Sequence, residues 1–219
     1  MKAKDLFFDK KLALIGILFV FAFASCKTDK SESANTWPAY KADEKSTSYS
    51  PLDQINLSNV KQLENAWTFQ MNDLQQGQEP VSSQSNPIIV DGVMYTNSGK
   101  QTVYAIDAAT GKQIWSCNTL EEGKPSAASR GVTYWESGDD KRILYSSGNY
   151  LMAIDAQTGK IIPSFGTNGK VNLNEGVRDD PEKISVSLST PGRIFKDLII
   201  IGLRTPDFYG APPGYIRAY

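Results

Sequence analysis

The sequence predicts an all-β protein, a β-propeller of four-stranded antiparallel blades. A motif of the form A-I-D-A-x-T-G-K occurs twice, and its aspartates, Asp107 and Asp155, are 48 residues apart. Trp67 and Trp115 have the same separation of 48 residues. A period of this size is typical of propeller blades. Short runs of Val, Ile, Leu and Tyr upstream of each motif supply the further strands that a blade needs.

Each copy of the motif is predicted to form a β-hairpin. In the first copy V-Y-A-I is a β-prone run, and Asp107 can hydrogen-bond the backbone of the turn that follows. Gly111 allows the positive φ with which the chain returns into the strand K-Q-I-W. Because Asp107 and Asp155 recur at one turn position, we interpret them as structural and not as a catalytic carboxylate pair. Trp67 and Trp115 are interpreted as packing residues between blades.

An additional apolar strand is predicted upstream of each hairpin position. The three runs are PIIVDGVMY, KRILYSSG and GRIFKDLIIIG, and the first and third contain the turn dipeptides D-G and K-D. The last run, YIRAY at Tyr215–Tyr219, matches the start of the repeated motif. We therefore expect about three to four blades of an incomplete propeller, the N-terminal part of a longer protein. The insertion TPDFYGAPPG before YIRAY is predicted to be a loop on one face.

The N-terminus has the layout of a bacterial signal peptide. Four lysines flank or precede the apolar run Leu12–Phe23, which is shorter than the roughly 20 residues of a membrane-spanning helix. Small residues before Cys26 predict a lipoprotein signal peptide over residues 1–25 and lipidation of Cys26. The polar residues 26–36 are predicted to be a flexible tether ahead of the propeller region 37–219. The alternative is an uncleaved anchor. Either way we expect a location in the cell envelope, membrane-anchored and facing the periplasm or at the outer membrane.

Composition excludes several classes of function. The formal net charge is −1 without a basic block, so nucleic acid is not an expected partner. The sequence contains no histidine, which excludes Ser-His-Asp and Cys-His catalysis and histidine-ligated zinc within it. Besides Cys26 there is one other cysteine, Cys117, which is predicted to be a buried free thiol.

The repeats and their flanking segments resemble the dehydrogenases that depend on pyrroloquinoline quinone (PQQ), a family of eight-bladed propellers. The resemblance runs from Trp37 to the end of the chain through WPAY, SYSPLDQINLSNVKQLENAW, NPIIVDGVMY, RGVTYW and PPGYIRAY. PPGYIRAY and the FG-x-x-G stretch at Phe165–Gly169 are most similar to the glucose dehydrogenase branch. The absence of adjacent cysteines shortly before Arg130, where Gly-Lys-Pro stands instead, also favours that branch.

The resemblance implies a cofactor site. Arg130 of RGVTYW matches an arginine that contacts the quinone oxygens of PQQ, where a guanidinium can stabilise developing negative charge; the alternative is a surface arginine in an ion pair. Gln84 stands where relatives place a cofactor-binding Glu, and Ser189 and Thr190 match a hydroxyl position near the PQQ carboxylates; all three could instead be ordinary loop or turn residues. Asp207 matches an acidic residue near a bound Ca²⁺ or Mg²⁺, although a solvated loop carboxylate is the alternative.

The function implied by the resemblance is oxidation of a glucose-like sugar or an alcohol by hydride transfer to PQQ, with electrons passed to a quinone or cytochrome c. The family's carboxylate base falls beyond Tyr219, so no catalytic residue is assigned here and this segment is expected to be inactive alone. The rival interpretation is a non-enzymatic lipoprotein propeller of the outer-membrane assembly scaffold type. It accounts for the repeats and the anchor but not for RGVTYW. The rival stays open because a fold by itself does not determine a function.

Overall fold

The predicted fold class is confirmed. The computed structural model describes residues 36–71, 81–120, 128–177 and 186–219, so the predicted signal peptide, Cys26 and nearly all of the tether lie outside the described residues. In the described part, regular structure consists of eleven strands and one short 3₁₀ helix at Val60–Gln62. No helix of that part is long and apolar enough to cross a bilayer.

The strands form three antiparallel sheets in which neighbours in sequence are neighbours in space. Blade 1 contains β1 (Ile88–Val90), β2 (Val93–Asn97), β3 (Thr102–Asp107) and β4 (Gln113–Asn118). Blade 2 contains β5 (Thr133–Ser137), β6 (Asp140–Ser147), β7 (Tyr150–Asp155) and β8 (Lys170–Asn172). Blade 3 contains β9 (Arg193–Phe195), β10 (Leu198–Gly202) and β11 (Ile216–Ala218). The YIRAY run therefore pairs with the preceding apolar strand, as its similarity to the repeat predicts.

The repeated aspartates are turn residues. Asp107 Oδ1 accepts hydrogen bonds from Ala109 N at 3.1 Å and from Thr110 N and Thr110 Oγ1 at 2.8 Å each. These hydrogen bonds, above all the one from the Thr110 hydroxyl, hold the pKa of the Asp107 carboxyl below its usual value. Gly111 follows with φ +70°. Asp155 makes the same set of bonds in blade 2, so the structural interpretation of the pair is confirmed.

Blade 2 is packed between its two neighbours. Its residues alternate along β6, so that Ile143 and Tyr145 contribute to a core shared with blade 1. Leu144, between them, belongs to a second core shared with blade 3. β7 alternates in the same way, with Ile154 in the first core and Ala153 in the second. The apolar central residues of β6 and β7 are therefore buried on both faces of the sheet, as in stacked propeller blades.

The predicted tryptophan contacts between blades are also confirmed. Trp115 Nε1 on β4 donates to Ala156 O of blade 2 at 3.0 Å. Trp67 Nε1 donates in the same way to Ala108 O of blade 1 at 3.2 Å. Each indole ring lies over the turn glycine of the next hairpin, Gly159 or Gly111, and a Cβ on that glycine would come within 2.6–2.7 Å of the ring. Each turn glycine is therefore required by the tryptophan of the preceding repeat.

The two ends of each blade differ. One end, named here the turn end, carries the tight turns at Asp91-Gly92 and at the aspartate hairpins. The other end, named the loop end, carries the connections between second and third strands and the segments that lead into the first strands. Asp107 and Asp155 thus lie at the opposite end from the lead-in segments that contain the predicted cofactor contacts.

Candidate functional site

The segments that lead into β1, β5 and β9 are equivalent parts of their blades. Strand pairing aligns one residue in each first strand with the matching alanine of the third strand, Ala105, Ala153 or Ala218. The aligned first-strand residues are Ile88, Thr133 and Arg193. Three positions before each of these residues the chain has Ser85, Arg130 and Thr190. The predicted contacts Arg130 and Thr190 thus occupy one structural position on adjacent blades, and Gln84 and Ser189 each precede it by one residue.

Hydrogen bonds join these three lead-in segments. Asn86 N donates to Arg130 O at 3.0 Å, and Arg130 N donates to Ser189 O at 2.8 Å. The Arg130 guanidinium also reaches Thr190 Oγ1 through Nη1, at 3.5 Å. The structure therefore brings Arg130, Ser189 and Thr190 into direct contact at the loop end.

Gln84 is joined to the same group through Asn86. The Asn86 amide Nδ2 lies 3.2 Å from Gln84 O and 3.5 Å from Arg130 O. Gln84 and Arg130 are both exposed, whereas Ser189 and Thr190 are half-buried. All four predicted cofactor contacts thus lie on one polar surface formed by three successive blades.

The structure around Gly131 explains why a glycine follows the arginine of RGVTYW. Its φ is +137°, and a Cβ at this position would lie 2.8 Å from Asn86 O. Both the backbone conformation and the close approach of the blade 1 segment therefore require glycine. The roles of Asn86 and Gly131 were not predicted from the sequence. The glycine next to Arg130 was a usable signal, but nothing in the sequence marked Asn86.

The Arg130 side chain is exposed at the loop end of blade 2. Among the described residues no carboxylate forms an ion pair with it. Its nearest described side-chain partner is a neutral hydroxyl. A guanidinium next to a threonine hydroxyl can bind carboxylate or quinone oxygens by charge-assisted hydrogen bonds.

Asp207 lies on the loop between β10 and β11. Mutual backbone hydrogen bonds between Ser187 and Arg204 hold the start of this loop beside the lead-in segment of blade 3. Asp207 itself is exposed. No group of three or more acidic or cysteine side chains that could hold a metal ion occurs in the described ranges. Ca²⁺ takes six to eight oxygen ligands, which include backbone and amide carbonyls and waters as well as carboxylates.

Cys117 is buried in the core between blades 1 and 2, as predicted, and within the described part of the chain it is a free cysteine. Burial raises the pKa of its thiol, and only the thiolate reacts readily.

In a Cys26→Ser variant we expect Cys117 to react with a disulfide reagent at pH 8 at least about tenfold more slowly in the folded protein than in urea. The rate should rise with pH as the thiolate fraction grows. Equal rates in both states would contradict the buried position.

The fold and the site together define a class: a multi-bladed propeller protein with an arginine-centred polar site at the loop end of its first strands. A family model described as "Glucose/ethanol/alcohol dehydrogenase, beta-propeller domain" matches residues 37–219. The chain belongs to this family of PQQ-dependent dehydrogenases, as the sequence motifs predicted.

Similar proteins include both sugar and alcohol enzymes. Quinoprotein glucose dehydrogenase of Escherichia coli K12 is 30% identical over 189 residues, an alignment that covers 78% of this chain and 24% of the relative. Quinohemoprotein alcohol dehydrogenase of Comamonas testosteroni is 34% identical over 189 residues, covering 84% and 24%. The crystal structure of the Comamonas enzyme superposes with a TM-score of 0.67 at 31% identity, covering 84% of this chain and 25% of that one. The chain spans about a quarter of the length of these relatives.

Proposed function

We propose that this chain is part of a PQQ-dependent dehydrogenase that oxidises a glucose-like sugar or an alcohol and passes the electrons to a quinone or cytochrome c acceptor. The observation that carries the proposal is the convergence of Arg130, Ser189 and Thr190 at the loop end, with Arg130 and Thr190 at equivalent positions of adjacent blades. Family membership supports the reaction class. Relatives of both substrate types match at similar identity, so the substrate is proposed at the level of sugar or alcohol.

The residues of the lead-in segments fit the chemistry of the cofactor. PQQ carries carboxylates and an ortho-quinone, and when bound it supplies the group that accepts hydride from the substrate. In the proposed site Arg130 holds the quinone oxygens through its guanidinium, and the Ser189 and Thr190 hydroxyls donate to carboxylate oxygens. Gln84 contributes a neutral hydrogen-bonding group at the rim.

A divalent cation is a separate part of the proposal. Asp207 is the one acidic residue of this segment that we propose near Ca²⁺ or Mg²⁺, and further oxygen ligands would have to come from elsewhere. The substrate's proton acceptor is proposed to lie outside residues 1–219.

The location is proposed from the sequence alone. We infer that residues 1–25 are a lipoprotein signal peptide, that Cys26 carries the lipid, and that residues 26–36 tether a propeller beginning at residue 37. This arrangement would place the enzyme in the cell envelope, facing the periplasm or at the outer membrane, where it can reach small sugars or alcohols and respiratory acceptors.

The decisive test uses the polypeptide encoded by the complete reading frame, purified without its signal peptide. PQQ with Ca²⁺ is titrated while dye reduction by glucose and by ethanol is followed. We expect metal-dependent PQQ binding, and we expect Arg130→Ala to weaken it about 10- to 100-fold because a charged hydrogen-bond donor is lost. Arg142→Ala is the matched control, since Arg142 is paired with Asp140 at the turn end of the same blade.

The outcomes separate the two candidate functions. Glucose-driven turnover would support the sugar enzyme, and turnover with ethanol alone would change the substrate assignment. If neither PQQ binding nor turnover were found with any divalent metal, the dehydrogenase proposal would be wrong, and a non-enzymatic scaffold propeller would be the better account.

A further inference from the structure

A segment near the start of the described residues lies against the first strands of two different blades. We name residues 37–48 the inner strap. Trp37 exchanges two backbone hydrogen bonds with Ile89 of β1, at 2.7 Å and 2.9 Å. Because β1 is the edge strand of blade 1 and pairs with β2 on its other side, the strap occupies the free edge of β1.

The other contact of the inner strap is with blade 3. Arg193 of β9 donates from Nη1 to Asp43 O and from Nη2 to Tyr40 O, at 3.0 Å each. Nη2 also donates to Ser46 Oγ. One guanidinium thus binds three acceptors on a segment about 150 residues away in sequence. A planar guanidinium can make such divergent bonds at once, whereas a lysine ammonium lacks this fork geometry.

We name the side on which the free edges of the first strands lie the inner side. The segments leading into β1, β5 and β9 contact one another in succession, so these are the edges that converge. The inner strap is bound to the first strand of blade 1 and the first strand of blade 3, on either side of β5. It therefore lies on the inner side and links blade 1 to blade 3.

The strap is displaced from the candidate site toward the turn end. Its contact residue on β1, Ile89, lies three residues beyond Asn86, and its contact residue on β9, Arg193, lies three residues beyond Thr190. At about 3.3 Å per residue, this separation is roughly 10 Å along the strands. The strap is thus below the site when the loop end is viewed as the top.

The strap is held in a conformation that its own residues disfavour. Lys41, Ala42, Ser46 and Ser48 have φ values of +62°, +80°, +56° and +53°. Non-glycine residues reach this region only at a cost, so outside contacts must stabilise it. Short-range bonds within the strap, such as Ser48 N to Lys41 O at 3.1 Å, are supplemented by the Arg193 guanidinium.

We propose that the inner strap, fixed by Arg193, closes the inner side of the propeller toward the turn end and forms the floor of the Arg130 site. Release of bound PQQ toward the turn end past these blades would then require the strap to detach. Arg193 is a positioning residue in this proposal, since it acts through the strap. The ligand above this floor is the PQQ of the proposed function, and the position of the floor follows from the hydrogen bonds of the strap to Ile89 and Arg193.

The test combines amide hydrogen exchange of residues 37–48 with the dissociation rate of PQQ, both measured on the full-length protein. In Arg193→Ala we expect faster exchange across the strap and PQQ dissociation accelerated at least about tenfold, because three hydrogen bonds from a charged donor are lost. Arg193→Lys should give intermediate values. Arg217→Ala is the matched control, because Arg217 donates to the Leu173 carbonyl at 2.9 Å away from the strap and should change neither quantity.

Ser46→Ala is the second variant, to be used if Arg193→Ala does not fold. It removes a single acceptor from the strap, so it should increase strap exchange and PQQ dissociation by smaller factors. A variant with faster strap exchange but an unchanged PQQ dissociation rate would overturn the floor proposal and leave the proposed function intact. Failure of the unmodified protein to bind PQQ would instead reject the proposed function, and this inference with it.

Discussion

Replacing Trp115 by alanine is expected to lower the free energy of unfolding by about 3–5 kcal/mol, the range found for large aromatic residues removed from cores. The Trp115 residue is 8% exposed, and its indole packs against the Tyr95 ring at a centroid distance of 5.9 Å and over the Gly159 turn. The substitution also removes the 3.0 Å hydrogen bond to Ala156 O. The substitution therefore weakens the contact between blades 1 and 2. Urea denaturation of the two proteins measures the change in the free energy of unfolding.

Ile114→Ala is the control for Trp115. Ile114 precedes Trp115 on the same strand but is 51% exposed, so its truncation is expected to cost about 1 kcal/mol or less. The stability cost of Trp115→Phe should lie between those of Ile114→Ala and Trp115→Ala, because a phenyl ring fills much of the indole volume but lacks the N–H donor. A cost below about 1 kcal/mol for Trp115→Ala would show that this indole does not hold the two blades together.

Gly131→Ala is expected to destabilise the protein by about 2–6 kcal/mol and to weaken PQQ binding in the full-length protein. Two costs add: a backbone conformation that alanine rarely adopts, about 1–3 kcal/mol, and overlap with a backbone oxygen that cannot turn away, about 1–3 kcal/mol. The overlapping atom is Asn86 O, 2.8 Å from the new Cβ. Because Asn86 N donates to Arg130 O, relief of the clash moves the segment that carries Arg130.

Gly138→Ala separates the two costs of the Gly131 substitution. Gly138 has φ +59° and has open space where a Cβ would be, so alanine there meets only the backbone cost of about 1–2 kcal/mol. We expect Gly138→Ala to leave PQQ binding unchanged. Equal effects of the two substitutions on stability and on PQQ affinity would argue against the close approach of the first two lead-in segments.

Much of the fold could be predicted because its hairpins depend on interactions between residues close together in the sequence. A-I-D-A-x-T-G-K contains the strand, the turn aspartate and the turn glycine of a hairpin, and all of these interactions are made within a few residues. The spacing of Trp67 and Trp115 likewise predicted a repeated contact between blades, because equal spacing along equivalent repeats places side chains at equivalent positions.

The site was predictable only in part. Arg130, Ser189 and Thr190 were selected by motif resemblance, and the structure brings them together, while their binding of PQQ remains a prediction. Arg193 stands in an apolar strand pattern and gave no sign that it binds residues about 150 positions earlier. Asp207 lies at the expected end of its blade but is exposed, so its role as a metal ligand stays a prediction.

The sequence by itself determined the hairpins, the apolar strands and the repeat period, since these depend on interactions between residues close together in the chain. Only the tertiary structure decided which lead-in segments touch, why Gly131 must follow Arg130, and where the inner strap lies. Those features depend on contacts between blades and on a strap whose disfavoured φ values are stabilised from outside. Because such contacts join residues tens to more than a hundred positions apart, no local pattern encodes them.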